Sequence, residues 1–154
     1  MQDNLPPSQS GASSTSAQAL PWHQVGPHRF RTEGDIIHWQ FFGEVTLEHV
    51  QIGTSAADGI KESHGYCLTL MNAGGVTRMT AEARRFLGHR AKQRRYESPL
   101  AIFNAGLMGI VISRLVSSVT RLVRGTEPNF SIHKNEAEAR AWLAKQRRHM
   151  RQPS

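Results

Sequence analysis

The stretch of twenty residues from Tyr66 to Arg85, YCLTLMNAGGVTRMTAEARR, constrains the fold most strongly, because an apolar run stops at a glycine pair before a capped amphipathic segment begins. The pattern predicts a strand over residues 66–71, then a loop, then a helix that Thr80 caps. Such a loop lies beyond the carboxyl end of a strand and beside a helix N-terminus, where open α/β sheets tend to place their sites. The sequence therefore predicts an α/β fold whose working edge lies at residues 73–84.

Apolar patterns extend this interpretation to the rest of the chain. Gly34 and Asp35 separate two extended segments and suit a tight hairpin turn. The predicted strands are residues 25–32, 36–42, 66–71, 100–104 and 129–133. The predicted helices are residues 47–63, the segment capped by Thr80, residues 106–124 and the segment capped by Asn135. With right-handed crossovers, this order predicts a mixed five-stranded sheet, antiparallel at its first hairpin and parallel later, packed with four helices.

Length and composition fit one domain. A chain of 154 residues with a polar start leaves about 125 residues for folding, enough to bury roughly two-thirds of its unfolded surface. The run NLPPSQSGASSTSAQ is too polar to fold alone. We therefore expect a disordered tail over residues 1–21, the domain over residues 22–149 and a disordered basic end over residues 150–154. The lone cysteine, Cys67, lies in an apolar run, which excludes an intramolecular disulfide and predicts a buried thiol.

The chain shows neither a targeting pattern nor a membrane span at the sequence level. Its N-terminus lacks a basic start followed by an apolar stretch. The most apolar region, residues 100–112, ends at Ser113 and Arg114, short of the roughly 20 residues that cross a bilayer. These features predict a soluble, cytoplasmic protein.

The formal net charge of +7 raises the question of nucleic-acid binding, because clustered Lys and Arg residues gain affinity for phosphates by releasing counterions. The basic residues form two clusters on predicted helices: Arg84, Arg85, Arg90, Lys92, Arg94 and Arg95, and then Lys145, Arg147, Arg148 and Arg151. Such clusters are usually solvated helix faces, with weak binding to an acidic surface as the alternative. Nucleic-acid binding is therefore not the predicted function.

The residue types needed for catalysis are thinly supplied. The 8 histidines show no paired ligand spacing, and no second cysteine is present, so a metal site is not predicted. A Gly-x-Ser-x-Gly fingerprint is missing, and two of the aspartates, Asp3 and Asp35, fall in the tail and in a turn. Gly74 and Gly75 resemble half of a phosphate-binding loop, but no nucleotide fingerprint is complete. The sequence thus predicts a protein that is not an enzyme and has no cofactor.

Three stretches resemble one known family: LTLMNAGGVTRMTAEARR, then PLAIFNAG, then EAEARAWL in the last predicted helix. Over residues 22–148 they are similar to the STAS family, which is named after sulfate transporters and anti-sigma-factor antagonists, and to bacterial STAS-like proteins with the same ending. The resemblance implies a mixed sheet packed against helices. It also implies a non-enzymatic role in signalling, by regulation or protein binding.

The anti-sigma-factor antagonists carry an Asp-Ser-Ser-Gly type motif after the third strand, and a partner kinase binds there and phosphorylates the first serine. In that alignment Thr80 stands at the aspartate and Ala81 at the phosphoserine, so the resemblance implies that this phosphoswitch is absent. Thr77 and Thr80 remain candidate modification sites, because a phosphate at a helix N-terminus would meet free amides and Arg78 or Arg84. A role as the helix N-cap also accounts for a threonine at position 80.

The leading hypothesis places a protein partner on the loop from Ala73 to Met79 and on the first turn of the next helix, where polar groups and amides cluster. The predicted partner-binding residues are Ala73, Gly74, Gly75, Thr77, Arg78, Thr80, Ala81 and Arg84. The alternative is a carrier or sensor of a lipid or small hydrophobic ligand. It is motivated by Leu107, Ile110 and Val116, which add to the inner stripe of the helix over residues 106–124. The partner's identity and the oligomeric state stay open.

Overall fold

The chain forms one six-stranded sheet in the computed structural model, which describes residues 19–93, 98–107, 109–110 and 129–152. The strands are β1 (His23–Val25), β2 (His28–Glu33), β3 (Ile36–Val45), β4 (Leu68–Met79), β5 (Leu100–Phe103) and β6 (Phe130–His133), and they lie side by side in that order. The first two pairs are antiparallel, and the remaining three are parallel. The predicted mixed sheet of an α/β fold is confirmed.

The predicted count of five strands is wrong, because residues 25–32 contain a turn. Gly26, at φ 58, and Pro27 interrupt the extended backbone, so that β1 folds back antiparallel on β2. The next turn is the predicted one: Gly34, at φ 63, precedes Asp35 and joins β2 to β3 as an antiparallel hairpin. A positive φ favours glycine at both turns.

The described residues include three helices, α1 (Leu47–His64), α2 (Ala81–Gln93) and α3 (Glu136–Arg151). Two of the predicted caps are made by side-chain oxygens: Thr80 accepts from the Ala83 N–H at 3.3 Å, and Asn135 accepts from the Glu138 N–H at 2.9 Å. The fourth predicted helix, residues 106–124, lies mostly outside the described residues. Within the described ranges, every helix is too short or too polar to cross a membrane.

Helices cover both faces of the sheet. Because side chains alternate along β3, Ile37 and Trp39 join a core under α1 and α2, whereas Ile36 joins a second core under α3. Leu143 of α3 packs in that second core and is almost fully buried. The central strands are therefore sandwiched between two helical layers.

The contact between α1 and β3 depends on a glycine. A Cβ atom at Gly53 would lie 2.7 Å from Cζ2 of Trp39, closer than real Cβ contacts allow. Gly59, six residues later, would meet nothing within 4 Å. Close packing of α1 on β3 therefore requires glycine at position 53.

The end of the sheet at which the parallel strands begin, here called the amino edge, is tied to α3 by ion pairs. The guanidinium of Arg147 donates two hydrogen bonds to the Asp35 carboxylate, at 2.8 and 2.6 Å, and the Tyr66 hydroxyl donates a third at 2.7 Å. Burial would raise the pKa of Asp35, but these hydrogen bonds hold it below its ordinary value. The turn residue Asp35 is thus a buried anchor for the last helix.

A second carboxylate at the amino edge gathers several donors. Arg140 of α3 donates to Glu33 at 2.7 and 3.1 Å, and Arg31 donates at 2.6 Å. Burial would raise the pKa of Glu33, but hydrogen bonds from Arg140, Arg31 and His38 lower it to about 2. His38 lies beneath this cluster, where its own burial lowers its pKa and outweighs the opposing effect of Glu33. His38 is thus part of the structural core at the amino edge.

Candidate functional site

The region that the sequence predicts as a loop is a continuation of β4. This strand runs from Leu68 to Met79, and β3 runs beside it to Val45 rather than ending at residue 42. A Cβ atom at Gly75 would lie 2.6 Å from the carbonyl oxygen of Phe41, so only glycine allows the two backbones to approach in this way. The loop prediction for residues 73–79 is therefore wrong, and these residues extend the sheet.

The extended part of β4 is irregular. Asn72 pairs with Gln40 and Gly75 with Phe42, so two residues of β4 oppose one residue of β3. A second register shift follows, because Thr77 lies between two paired residues and has no opposite residue in β3. Bulges of this kind redirect side chains and are frequent beside functional sites.

This irregular segment extends past the neighbouring strands. In the described residues, β5 pairs with β4 as far as Asn72, and β2 pairs with β3 as far as Gln40. Beyond these two positions, β3 and β4 continue as a two-stranded ribbon that leads into α2 at Ala81. We call residues 73–84 the ledge, and the end of the sheet that carries it the carboxyl edge.

The predicted partner-binding residues divide by exposure. The exposed ones are Gly74, Thr77, Arg78, Ala81 and Arg84, the partly buried ones are Gly75 and Thr80, and Ala73 is buried in the core. The ledge thus brings the exposed members together along one short strand and one helix turn. The side chain of Ala73 faces inward and is not accessible to a partner.

The start of α2 uses part of the polar groups on the ledge. The Thr80 side chain caps α2 through the Ala83 N–H, and the Thr80 N–H donates to the carbonyl oxygen of Val45 at 3.0 Å. The Arg84 guanidinium donates to the carbonyl oxygen of Met79 at 3.0 Å. These bonds fix the junction between ribbon and helix, and they leave Thr77 as the more exposed of the two candidate modification sites.

An ion pair lies across the ribbon. Arg78 of β4 contacts the carboxylate of Glu44 in β3, and their side chains are 70% and 38% exposed. Exposed pairs of this kind contribute about 0 to 1 kcal/mol to stability. The charge of Arg78 is therefore partly satisfied in the free protein but remains within reach of a partner.

Two histidines that are far apart in the sequence, His28 of β2 and His49 of α1, meet next to the β3 strand of the ribbon. The Phe42 N–H donates to Nδ1 of His28 at 3.0 Å, so this nitrogen is an acceptor and the ring proton lies on Nε2. Nε2 is 3.1 Å from the carbonyl oxygen of Glu44 and 2.8 Å from Nδ1 of His49. Burial, followed by the nearby His49, lowers the pKa of His28 despite the Glu44 carbonyl.

This histidine pair is a structural clasp rather than a metal site. Nδ1 of His49 also accepts from the Thr46 N–H at 3.1 Å, which occupies its lone pair at the start of α1. The described residues contain no group of three or more His, Cys, Asp or Glu side chains that could hold a metal ion. The clasp joins β2, the end of β3 and α1. Sequence spacing gave no signal for it, because its members lie 21 positions apart on different elements.

The single cysteine lies just before β4 begins, at the other end of this strand from the ledge. Cys67 is 1% exposed in the core under α1 and α2. Burial raises the pKa of its thiol to about 11. The thiol is therefore protonated at neutral pH and unreactive, as the apolar run around it predicts.

The chain matches no family model and no curated protein. Among solved structures, it is similar to the anti-sigma factor antagonist SpoIIAA in its unphosphorylated form, with a TM-score of 0.47 and 13% sequence identity. The aligned part covers 82% of this chain and 98% of that chain. At this TM-score and identity the likeness carries no information on partners or activity, and the α/β assignment rests on the strands and helices of the chain itself.

Proposed function

We propose that this chain is a non-enzymatic regulatory module of the STAS-like kind that binds a protein partner through the ledge. The observation that supports this proposal is the ribbon of β3 and β4, which extends past the described parts of the neighbouring strands and exposes Gly74, Thr77 and Arg78. The first turn of α2 adds Ala81 and Arg84 on the solvent side. Backbone groups and arginines together suit a partner that presents an extended, polar segment.

The charges on the ledge and directly after it favour an acidic partner segment. Arg84 is exposed, and Arg85 is 76% exposed beside Glu82, at 3.6 Å. A partner carboxylate can replace Glu44 at Arg78 with little loss, because the exposed pair contributes little to stability. The net charge of +7 adds a long-range attraction that speeds the encounter.

A pull-down with charge-reversed variants tests this function. The bait is the full chain, compared with Arg78→Glu plus Arg84→Glu on the ledge. Lys145→Glu plus Arg148→Glu on α3 is the matched control, since both residues are exposed and the change in charge is the same. We expect a specific partner to bind the wild type and the α3 control and to be lost from the ledge variant. A partner that the ledge variant retains undiminished contradicts the proposed surface.

Photo-crosslinking then locates the contact. Thr77 is exposed and has no opposite residue in the neighbouring strand β3. A photoreactive amino acid at this position should crosslink the captured partner. The same group at Ala144, exposed on α3, should not. Equal crosslinking from both positions would show that the partner does not select the ledge. Phosphate analysis of the wild-type chain at Thr77 and Thr80 tests the two proposed modification sites.

A further inference from the structure

A cavity of about 320 Å³ lies between the sheet and the helices α1 and α2. Its floor consists of side chains from the four parallel strands, and its roof comes mainly from α1. The lining includes Ala57 and Leu87 from the helices and Trp39, Met71, Val76 and Ile102 from the strands. Apart from a few polar side chains, this wall is apolar.

The cavity is partly open to the surface, and its volume is large for a gap between a sheet and its helices, because protein interiors pack as densely as organic crystals. An engineered apolar cavity of about 150 Å³ stays dry and binds benzene. The cavity here is about twice as large and suits a molecule of roughly two fused aromatic rings.

The lining, as far as the structure describes it, favours an uncharged ligand. The described lining residues include no Asp, Glu, Lys or Arg. Of the polar ones, Thr54 already donates to the carbonyl oxygen of Gln51 at 3.1 Å, and Nδ1 of His49 already accepts from the Thr46 N–H. An ionised ligand would lose its hydration without gaining a counter-charge. The fitting ligand is therefore uncharged and largely apolar.

One end of the cavity offers polar groups. Thr69 and Ser98 both line it, and they are neighbours, because the Thr69 N–H donates to the carbonyl oxygen of Pro99 at 2.8 Å. Both residues lie where β4 and β5 begin. Pockets for small molecules commonly combine apolar walls with a few polar groups that fix orientation.

We propose that this cavity binds a small uncharged molecule of about two-ring size, with one hydroxyl or carbonyl group directed toward Thr69 and Ser98. The cavity and the ledge share a wall, since Val76 and Met79 line the cavity whereas Thr77 and Arg78 point to solvent. A bound ligand contacts the inner side of the ledge and restrains it. Amide exchange of residues 73–79 therefore slows when the ligand is bound.

Methyl NMR with two matched compounds tests the site. The probe is 2-naphthol, which is neutral at pH 7, and its control is naphthalene-2-sulfonate, which has the same rings and a permanent negative charge. We expect 2-naphthol to shift the methyl signals of Val76, Leu87 and Ile102 in the cavity. The methyl signals of Leu70 and Leu143, in the core on the other face, should not move. The sulfonate should leave the cavity signals unchanged, although it can bind the basic surface.

A cavity-filling variant sharpens the result. Ala57→Phe places a ring in the space that the ligand needs and should weaken 2-naphthol binding at least about tenfold. Ala144→Phe, on the exposed side of α3, is the matched control and should bind as the wild type does. If Ala57→Phe does not fold, the smaller change Ala57→Leu replaces it.

Three results would overturn the proposal. They are the absence of cavity shifts at the solubility limit of 2-naphthol, equal cavity shifts with both compounds, and full binding by the folded Ala57 variant. The wild-type titration alone distinguishes the first two outcomes, so the test does not depend on the stability of a variant. It is also independent of whether the ledge binds a protein.

Discussion

The two ends of the parallel strands hold their charges in different ways. At the amino edge, Asp35 has only 7% of its side chain exposed and is bound by Arg147 with two hydrogen bonds. At the carboxyl edge, Arg78 and Glu44 form a pair whose side chains are 70% and 38% exposed. The first pair fastens α3 to the sheet, whereas the second lies on the ledge, where solvent and partners can reach it.

This difference separates stability from recognition within one sheet. Removing one member of a buried pair leaves an uncompensated charge and is costly. Breaking an exposed pair costs little, because water solvates both charges. The amino edge can therefore hold the fold together while the carboxyl edge exchanges its contacts.

Asp35→Ala should cause the largest loss of stability. It removes the acceptor of two hydrogen bonds from Arg147 and one from Tyr66. We expect the free energy of unfolding to fall by about 2 to 3 kcal/mol, less than for a fully buried pair because Arg147 keeps some contact with water. Urea unfolding followed by circular dichroism measures the change. A loss as small as that of an exposed pair would remove the contrast between the edges.

Gly75→Ala tests whether the ribbon at the carboxyl edge depends on close backbone contact. The added Cβ atom would lie 2.6 Å from the carbonyl oxygen of Phe41, and the backbone there cannot move aside without breaking the ladder. We expect a loss of about 1 to 3 kcal/mol by overpacking. Gly88→Ala in α2 is the matched control: its Cβ would meet nothing within 4 Å, and it should stabilise the helix by up to about 1 kcal/mol. Equal stability of the two variants would contradict the close approach.

The pH dependence of stability should show contributions from both edges. Folding lowers the pKa of His28 behind the ribbon and of His38 near the amino edge. Below pH 6.5, the ordinary pKa of histidine, the unfolded chain therefore binds more protons than the folded chain. Stability is full above that pH and declines below it, with a slope of up to about 1.4 kcal/mol per pH unit for each histidine. Glu33, whose pKa falls from 4.5 to about 2, adds a second decline below pH 4.5.

Urea unfolding at a series of pH values measures both declines. His28→Gln should reduce the slope of the first decline, because only His38 then contributes to it, and should leave the second unchanged, because Glu33 lies in the other cluster. Constant stability between pH 7 and pH 6.5 is consistent with this prediction, because the decline begins only below pH 6.5. A protein whose stability rises as pH falls below 6.5 would contradict it.

The sequence predicts the described helices well because their signals are local. Helical spacing and caps place α1, the start of α2 at Thr80 and the start of α3 at Asn135 near their observed positions. The glycine pair at residues 74 and 75 misled the loop prediction. Neither glycine has a positive φ, and Gly75 is needed for close approach to Phe41, a contact between residues far apart in sequence.

Other features of the site are invisible to local patterns for the same reason. The clasp of His28 and His49 forms only when β2 and α1 meet behind the ribbon. The parallel register that makes Thr77 unopposed depends on how far β3 continues beside β4. The predicted site residues thus meet on the ledge, but their strand conformation and the inward position of Ala73 follow from tertiary pairing.

Glu44→Gln should give the smallest change in stability and the clearest gain in binding at the ledge. The substitution removes the charge that Arg78 contacts, and because both side chains are exposed, the free energy of unfolding should change by no more than about 0.5 kcal/mol. The released Arg78 should bind a poly-glutamate peptide about two- to threefold more tightly, which corresponds to a similar free energy. Amide shifts of Thr77 and Arg78 report the binding.

Glu62→Gln is the matched control, because Glu62 is exposed at the far end of α1 and the substitution changes the net charge equally. If both variants gain the same affinity, the effect is that of net charge and not of the ledge. If only Glu44→Gln gains, and the gain disappears at high salt as screening requires, then the ion pair of the carboxyl edge is exchangeable. The ion pairs of the amino edge should show no such exchange, because Asp35 is shielded from solvent by α3.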